Sequence, residues 1–197
     1  IRREAEEGVR AGCTHVILTD EALGPERSPI PMILATAGVH THLVRSSLRT
    51  FTSLNVRVAE CLDVHYFAVL IGVGATTINA YLAQESIADR HRRGLFGDIT
   101  LKEAVQRYKK AVDKGLLKVM SKMGIAVISS YRGGYCFEAI GLSRALVGEF
   151  FPGMQSRISG IGLSGIARKA LALHAAAWEP AAGMLPVGGV YKFRRKG

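Results

Sequence analysis

"YFAVLIGVGATTINAYLAQESI" (residues 66–87) can be read in two ways, and the choice decides the fold. An apolar run leads into Gly72-Val73-Gly74 and an amphipathic stretch follows, which is the outline of a phosphate-binding turn. A dinucleotide fingerprint needs G-x-G-x-x-G between a strand and a helix, and the third glycine position here is Thr77. Asp63 stands just before "VHYFAVLIG" and suits an N-cap, so residues 64–72 read as a helix. Gly72 or Gly74 then falls where the helix needs a left-handed residue at its end. Residues 75–79 become a short β-branched strand and residues 80–93 the next helix. The glycines end a helix.

Working outward, residues 1–11 form a helix with acidic residues near its start and Gly12 beyond its end. "THVILTD" (residues 14–20) is β-branched and apolar throughout, which predicts a strand buried on both faces. A loop with Gly24, Pro25, Pro29 and Pro31 follows, then helical periodicity over residues 32–49 and a second strand over 55–60. Thr100 and Glu103 have capping-box spacing at the head of a long helix ended by Gly124. Residues 125–130 ("IAVISS") predict another strand, and residues 131–143 a glycine-bearing turn with a short helix. Ser143 can cap residues 144–151, and "SRISGIGLSG" leads into a last helix over 164–178. Helices alternating with strands imply parallel strands joined by crossover helices. Four or five strands are too few to close an eight-stranded barrel, so the sheet reads as partial.

The chain has 197 residues, 48% hydrophobic and 21% charged, the composition of a globular domain. No apolar run approaches the roughly 18 residues of a membrane span. The chain opens on Ile1 with no signal peptide in view and closes on a basic run, and both ends read as cut from something longer. A net charge of +10 favours acidic partners, but the cations are dispersed and no nucleic-acid motif is present. Cys13, Cys61 and Cys136 are far apart and form no CxxC pair, which argues against a disulfide framework or a metal site of this chain alone. Reduced, mostly buried thiols in the cytoplasm are expected.

Three constellations invite chemistry. His40 and His42, with His65 as a third ligand, have poor spacing for a metal, because helix neighbours two apart face different ways. Asp63 with His65, or Asp20 with His15, could be acid/base pairs, but no nucleophile motif accompanies them. Ser159, Gly160, Gly162, Ser164 and Gly165 could cradle a phosphate at a helix N-terminus, or simply make a tight strand-to-helix connection. The most function-like segment holds Ser129, Ser130, Tyr131, Arg132 and Gly133, at the end of the strand predicted over 125–130. Arg132 could bind an anion or meet a neighbouring domain, while Gly133 and Gly134 could equally serve packing alone.

"GLLKVMSKMGIAVISSYRGGYCFEAIGLS" (residues 115–143), "DVHYFAVLIGVGATTINAYLA" (63–83) and "SRISGIGL" (156–163) together resemble the large subunit of bacterial glutamate synthase. "LPVGGVYKFRRKG" (185–197) is similar to the stretch leading into that family's FMN domain. The resemblance implies that residues 1–182 are the later part of the central domain and 183–197 the start of the connection to the FMN-binding domain. It implies an α/β fold, a partial TIM-barrel-like arrangement of parallel strands and crossover helices, incomplete in this chain. The implied parent activity turns glutamine, 2-oxoglutarate and reductant into two glutamates in the cytoplasm. FMN and an iron–sulfur cluster would belong to the parent, with NADPH and FAD acting through a small subunit, or with ferredoxin; none would sit in this segment. The implied partners are the amidotransferase and FMN domains of the same polypeptide and a small NADPH-oxidising subunit, with no nucleic acid and no membrane. No catalytic residue of the family carries over, since its amidotransferase nucleophile is an N-terminal Cys and its cluster cysteines are closely spaced. What carries over is a role: coupling the two active-site domains and helping to wall the ammonia passage, with Ser129, Ser130, Tyr131, Arg132 and Gly133 as candidates. The alternative is a phosphate- or flavin-binding partial barrel with its site at residues 159–165.

Overall fold

The computed structural model describes residues 1–179, so the connection expected over 183–197 lies outside the described residues. Three parallel strands, β1 (His15–Thr19), β2 (Ser53–Arg57) and β3 (Thr77–Asn79), lie side by side in chain order. The crossovers are helices, as parallel pairing requires: α2 (Met32–Arg45) between β1 and β2, and α3 (Val64–Gly72) between β2 and β3. Helix α1 (Arg2–Arg10) precedes the sheet, and α4 (Tyr81–Arg92) and α5 (Leu101–Lys122) follow it. A second sheet pairs β4 (Glu138–Leu142) with β5 (Gln155–Ile161), again parallel, across helix α7 (Arg144–Phe150). The fold is α/β with parallel strands in two small sheets, and among the described residues neither sheet closes into a barrel.

Helix α2 is the spine. Nine of its residues are buried, because it packs against α1 and β2 on one side and α7 on another. Val39 and Leu43 meet Leu54 of β2 and Val9 of α1, while Leu34 and Ala37 meet Ala139, Leu146 and Val147 of the second sheet's unit. Local signals placed the helix starts. Asp63, Thr100 and Ser143 each accept a hydrogen bond from the backbone N–H three residues on, at Tyr66, Glu103 and Leu146. Glu103 does not complete the capping box; it pairs with Arg107 instead, at 2.7 Å.

Four expectations are corrected. Strand β1 is not buried on both faces: Val16 and Leu18 pack inward, but Ile17 is 66% exposed. It is an edge strand, and β-branched side chains suit a pleat whether or not anything covers it. Residues 125–130 form no strand. The chain makes one helical turn, α6 (Ile128–Tyr131), where Arg132 N–H donates to Ile128 O at 2.9 Å and no strand lies alongside. Residues 138–142 are β4 where a short helix was expected. Of the thiols only Cys61 is buried; Cys13 and Cys136 sit in exposed turns.

Candidate functional site

The candidate segment docks on the end of α3. Gly133 N–H donates to Ile71 O and Tyr135 N–H to Gly72 O, both at 3.1 Å. Tyr131 is the anchor: its ring is 1% exposed and its hydroxyl donates to Ala68 O at 3.0 Å. Burial, and next the neighbouring Cys136, push its phenol up to about 12. The glycines of the opening stretch now have their reason. Gly74 stands at φ +118°, and a Cβ there would lie 2.2 Å from His40 Nδ1; one at Gly72 would meet the Phe137 ring at 2.3 Å. They leave room for side chains from two other segments.

His40 belongs to a cationic cluster at the amino ends of β1, β2 and β3. Arg49 Nε donates to His40 Nδ1 at 3.0 Å. The same guanidinium donates to Thr52 O at 2.6 Å, Gly74 O at 2.8 Å and Thr76 Oγ1 at 3.3 Å. Burial, and then the charge of Arg49, hold His40 near 4, so it is a neutral acceptor at physiological pH. Burial, and then the charge of Arg132, lower Arg49 from its ordinary range. Thr14, Thr52, Ser129 and Arg132 share with these two residues a wide-mouthed cleft of about 530 Å³. Among the described residues no carboxylate lines it.

The structure thus brings Ser129 and Arg132 to a shared site, buries Tyr131, and uses Gly133 as packing against His40. All of this lies at the amino end of the first sheet, whereas the sequence placed the segment at the carboxyl end of a strand. Arg49 was missed altogether. Nothing local marks it, since its four acceptors come from residues 40 to 76.

At the carboxyl ends of the strands the acidic side chains are partnered within the chain. Asp20 accepts from Ala59 N–H at 2.9 Å and from the Tyr81 hydroxyl at 3.0 Å, and Arg57 pairs with Glu21. Glu60 accepts from Met32 N–H at 2.6 Å and from the Tyr66 hydroxyl. The imagined acid/base pairs do not form. His15 meets Ser53 Oγ at 2.6 Å, Asp63 is occupied capping α3, and His65 packs edge-on against Phe137. His42 turns away from His40 to pair with Glu6 at 2.6 Å, as their spacing on a helix requires.

In the second glycine-rich stretch, Ser159 and Gly160 lie inside β5. A Cβ on Gly160 would come within 2.1 Å of Gly141 O, and one on Gly165 within 2.8 Å of Ile161 Cβ, so close packing accounts for both glycines. Helix α8 (Leu163–Ala177) begins after Gly162 with no side-chain cap, leaving its first N–H groups open. Among the described residues no three His, Cys, Asp or Glu side chains group as metal ligands. Burial, then Asp63 and Glu60, push the Cys61 thiol up to about 12, unlike a thiolate ligand. Nor is any helix among them long and apolar enough to cross a membrane.

The sequence of residues 1–143 matches the family model of the glutamate synthase central domain. The glutamate synthase [NADPH] large chain of Azospirillum brasilense is 71% identical over all 197 residues, which are 13% of that protein. The ferredoxin-dependent chloroplastic glutamate synthase of Spinacia oleracea is 39% identical over 98% of this chain and 13% of its own length. The glutamate synthase [NADH] of Saccharomyces cerevisiae is 35% identical over the whole of this chain and 10% of its own. The chain therefore spans between about a tenth and an eighth of the length of these relatives. With 143 of its 197 residues inside the family model and a full-length match at 71% identity, this chain belongs to the glutamate synthase central domain family.

Proposed function

We propose that this chain is a non-catalytic coupling segment of a glutamate synthase large chain. The observation that carries the reading is the pairing of its acids and bases with its own backbone and side chains at the carboxyl ends of the strands, where an α/β enzyme would keep its reacting groups free. Large apolar side chains meanwhile stand exposed on both sheets and on α8, at Ile17, Ile140, Ile158 and Leu173. Such surfaces suit contact with further protein. The names of its relatives carry three reductants, NADPH, ferredoxin and NADH, which supports a role in what those reactions share rather than in reading the donor.

On this reading the parent couples glutamine hydrolysis to reductive amination of 2-oxoglutarate in the cytoplasm. Its FMN, iron–sulfur cluster and small NADPH-oxidising subunit lie outside this segment. Residues 1–182 belong to the central domain and 183–197 lead toward the FMN domain. Of residues 129–133, Ser129, Ser130 and Arg132 face the neighbouring domains or the ammonia passage, held in place by the buried Tyr131 and by the packing of Gly133 against His40. The test is Arg132→Ala in the full-length large chain. The ratio of glutamine hydrolysed to 2-oxoglutarate consumed should rise above one to one; an unchanged ratio overturns the assignment of these residues.

The uncapped start of α8 favours a second reading, a phosphate or flavin site at residues 159–165. Titrating the chain with FMN separates the two. Saturable binding lost in Ser164→Asp would establish the site, and no binding would remove it.

A further inference from the structure

We propose that the cleft formed by His40, Arg49 and Arg132 is an oxyanion site, built to take one carboxylate or phosphate-like group against Arg132. Two guanidinium groups share this cleft with hydroxyl-bearing residues and no acid among the described residues. They differ in how their donors are used. Arg49 spends its Nε and both terminal nitrogens on four acceptors of the fold. The Nε of Arg132 is buried and has no hydrogen-bond partner among the described residues. A buried charged donor left unmet is costly, and a like charge beside it adds to that cost. An oxyanion in the cleft offsets the like charge by meeting the terminal N–H groups of Arg132, since a guanidinium matches the oxygens of a carboxylate or phosphate; the Nε is closed off from the cleft and stays unmet.

The surroundings fit that ligand better than a cation or a neutral group. His40 accepts from Arg49 through Nδ1 at 3.0 Å, which holds that guanidinium in place at the cleft wall. Ser129 stands exposed at the mouth, where its hydroxyl can donate. Gly133, at φ +68°, leaves His40 its place behind the cleft, since a Cβ there would crowd His40 Nε2 at 3.0 Å. The group could come from two sources, an Asp or Glu side chain elsewhere in the parent polypeptide or a free small anion. The site itself stands on geometry; only the first source rests on reading residues 129–133 as a contact surface.

The experiment uses the full-length large chain, with inorganic phosphate as probe and chloride at matched ionic strength as reference. Arg49 is woven into the fold, so the variants are Arg132→Gln and Arg132→Lys. If a free anion is the ligand, phosphate binds saturably by calorimetry, Arg132→Gln weakens it about tenfold or more, and Arg132→Lys keeps part of it. If a carboxylate of the parent already fills the cleft, phosphate does not bind. Arg132→Gln then lowers the melting temperature by several degrees, Arg132→Lys recovers part of the loss, and high salt shrinks the difference. No phosphate effect together with an unchanged melting temperature in both variants overturns the site. Measuring the coupling ratio on the same variants separates the two readings. A positive anion arm with intact one-to-one coupling keeps the site and removes the coupling role.

Discussion

The two ends of the first sheet are finished in opposite ways. At the carboxyl ends the acids have partners from the same chain: Asp20 has Ala59 and Tyr81, Glu60 has Met32 and Tyr66, and Glu21 is ion-paired with Arg57, whose buried Nε makes no hydrogen bond. At the amino ends the charges are all positive, one guanidinium is satisfied by backbone carbonyls, and the other keeps a buried Nε without a partner. A saturated network holds a structure together and has nothing left to offer a partner. An unsaturated one carries a cost that a group from outside can lower. On the proposed assignment, the usual placement of function at the carboxyl ends of parallel strands is inverted in this segment.

The contrast can be broken at either end. The largest effect is expected from Gly74→Ala, because the new Cβ would meet His40 and the backbone sits at φ +118°. The two costs together should reach about 3 kcal/mol or more in urea unfolding. A loss below about 1 kcal/mol would mean that His40 is not fixed against this turn. At the other end, Asp20→Ala strips the acceptor from Ala59 N–H and the Tyr81 hydroxyl in a buried setting. A loss of roughly 2 kcal/mol is expected, and Asp20→Asn should recover part of it. If the two variants unfold alike, hydrogen bonding is not what Asp20 contributes.

These two sites also show what a sequence can and cannot say. Asp63, Thr100 and Ser143 were legible because a cap and its donor are three residues apart, and that relation survives any tertiary context. The parallel crossovers followed from the alternation of periods. Residues 125–130 misled for the converse reason. Val127 and Ile128 carry strand propensity, but a strand exists only beside another, and what decides this segment is the burial of Tyr131 under α3, sixty-three residues away from its acceptor Ala68. Residues 138–142 failed likewise, since β4 is defined by its pairing with β5 and by the close approach of Gly141 to Gly160. The cleft was half visible. Arg132 stood out as an arginine beside glycines, but Arg49 and His40 join it only through contacts that no spacing rule encodes.

His40 sharpens the contrast through pH. Its folded pKa is about 4 against an ordinary 6.5, so the unfolded chain takes up a proton that the folded chain refuses. The stabilisation is complete above pH 6.5 and is lost as the pH falls toward 4. Between pH 6.5 and about 5 the loss should be about 1.5 kcal/mol. Glu6 and Glu149, held low by Arg10 and His42 and by Arg2 and Arg45, lose their contribution only at lower pH, so that window belongs to His40. Urea midpoints at several pH values should slope in the wild type and flatten in His40→Gln. Equal slopes would mean that His40 titrates normally and is not locked to Arg49.

The smallest expected effect discriminates most. In this 197-residue chain, Arg132→Gln should change stability by no more than about 0.5 kcal/mol in urea unfolding. The substitution removes no hydrogen bond from the buried Nε and relieves the like charge felt by Arg49, which offsets the lost packing of the arginine stem. Arg49→Gln should behave quite differently, because four acceptors lose their donor. If Arg132→Gln instead costs as much as Asp20→Ala, its guanidinium is part of the structure, the two ends of the sheet are alike, and the amino end holds nothing in reserve for a partner. If it costs nothing, a charged and partly buried side chain is being kept in this segment for a reason that this segment's own stability does not supply.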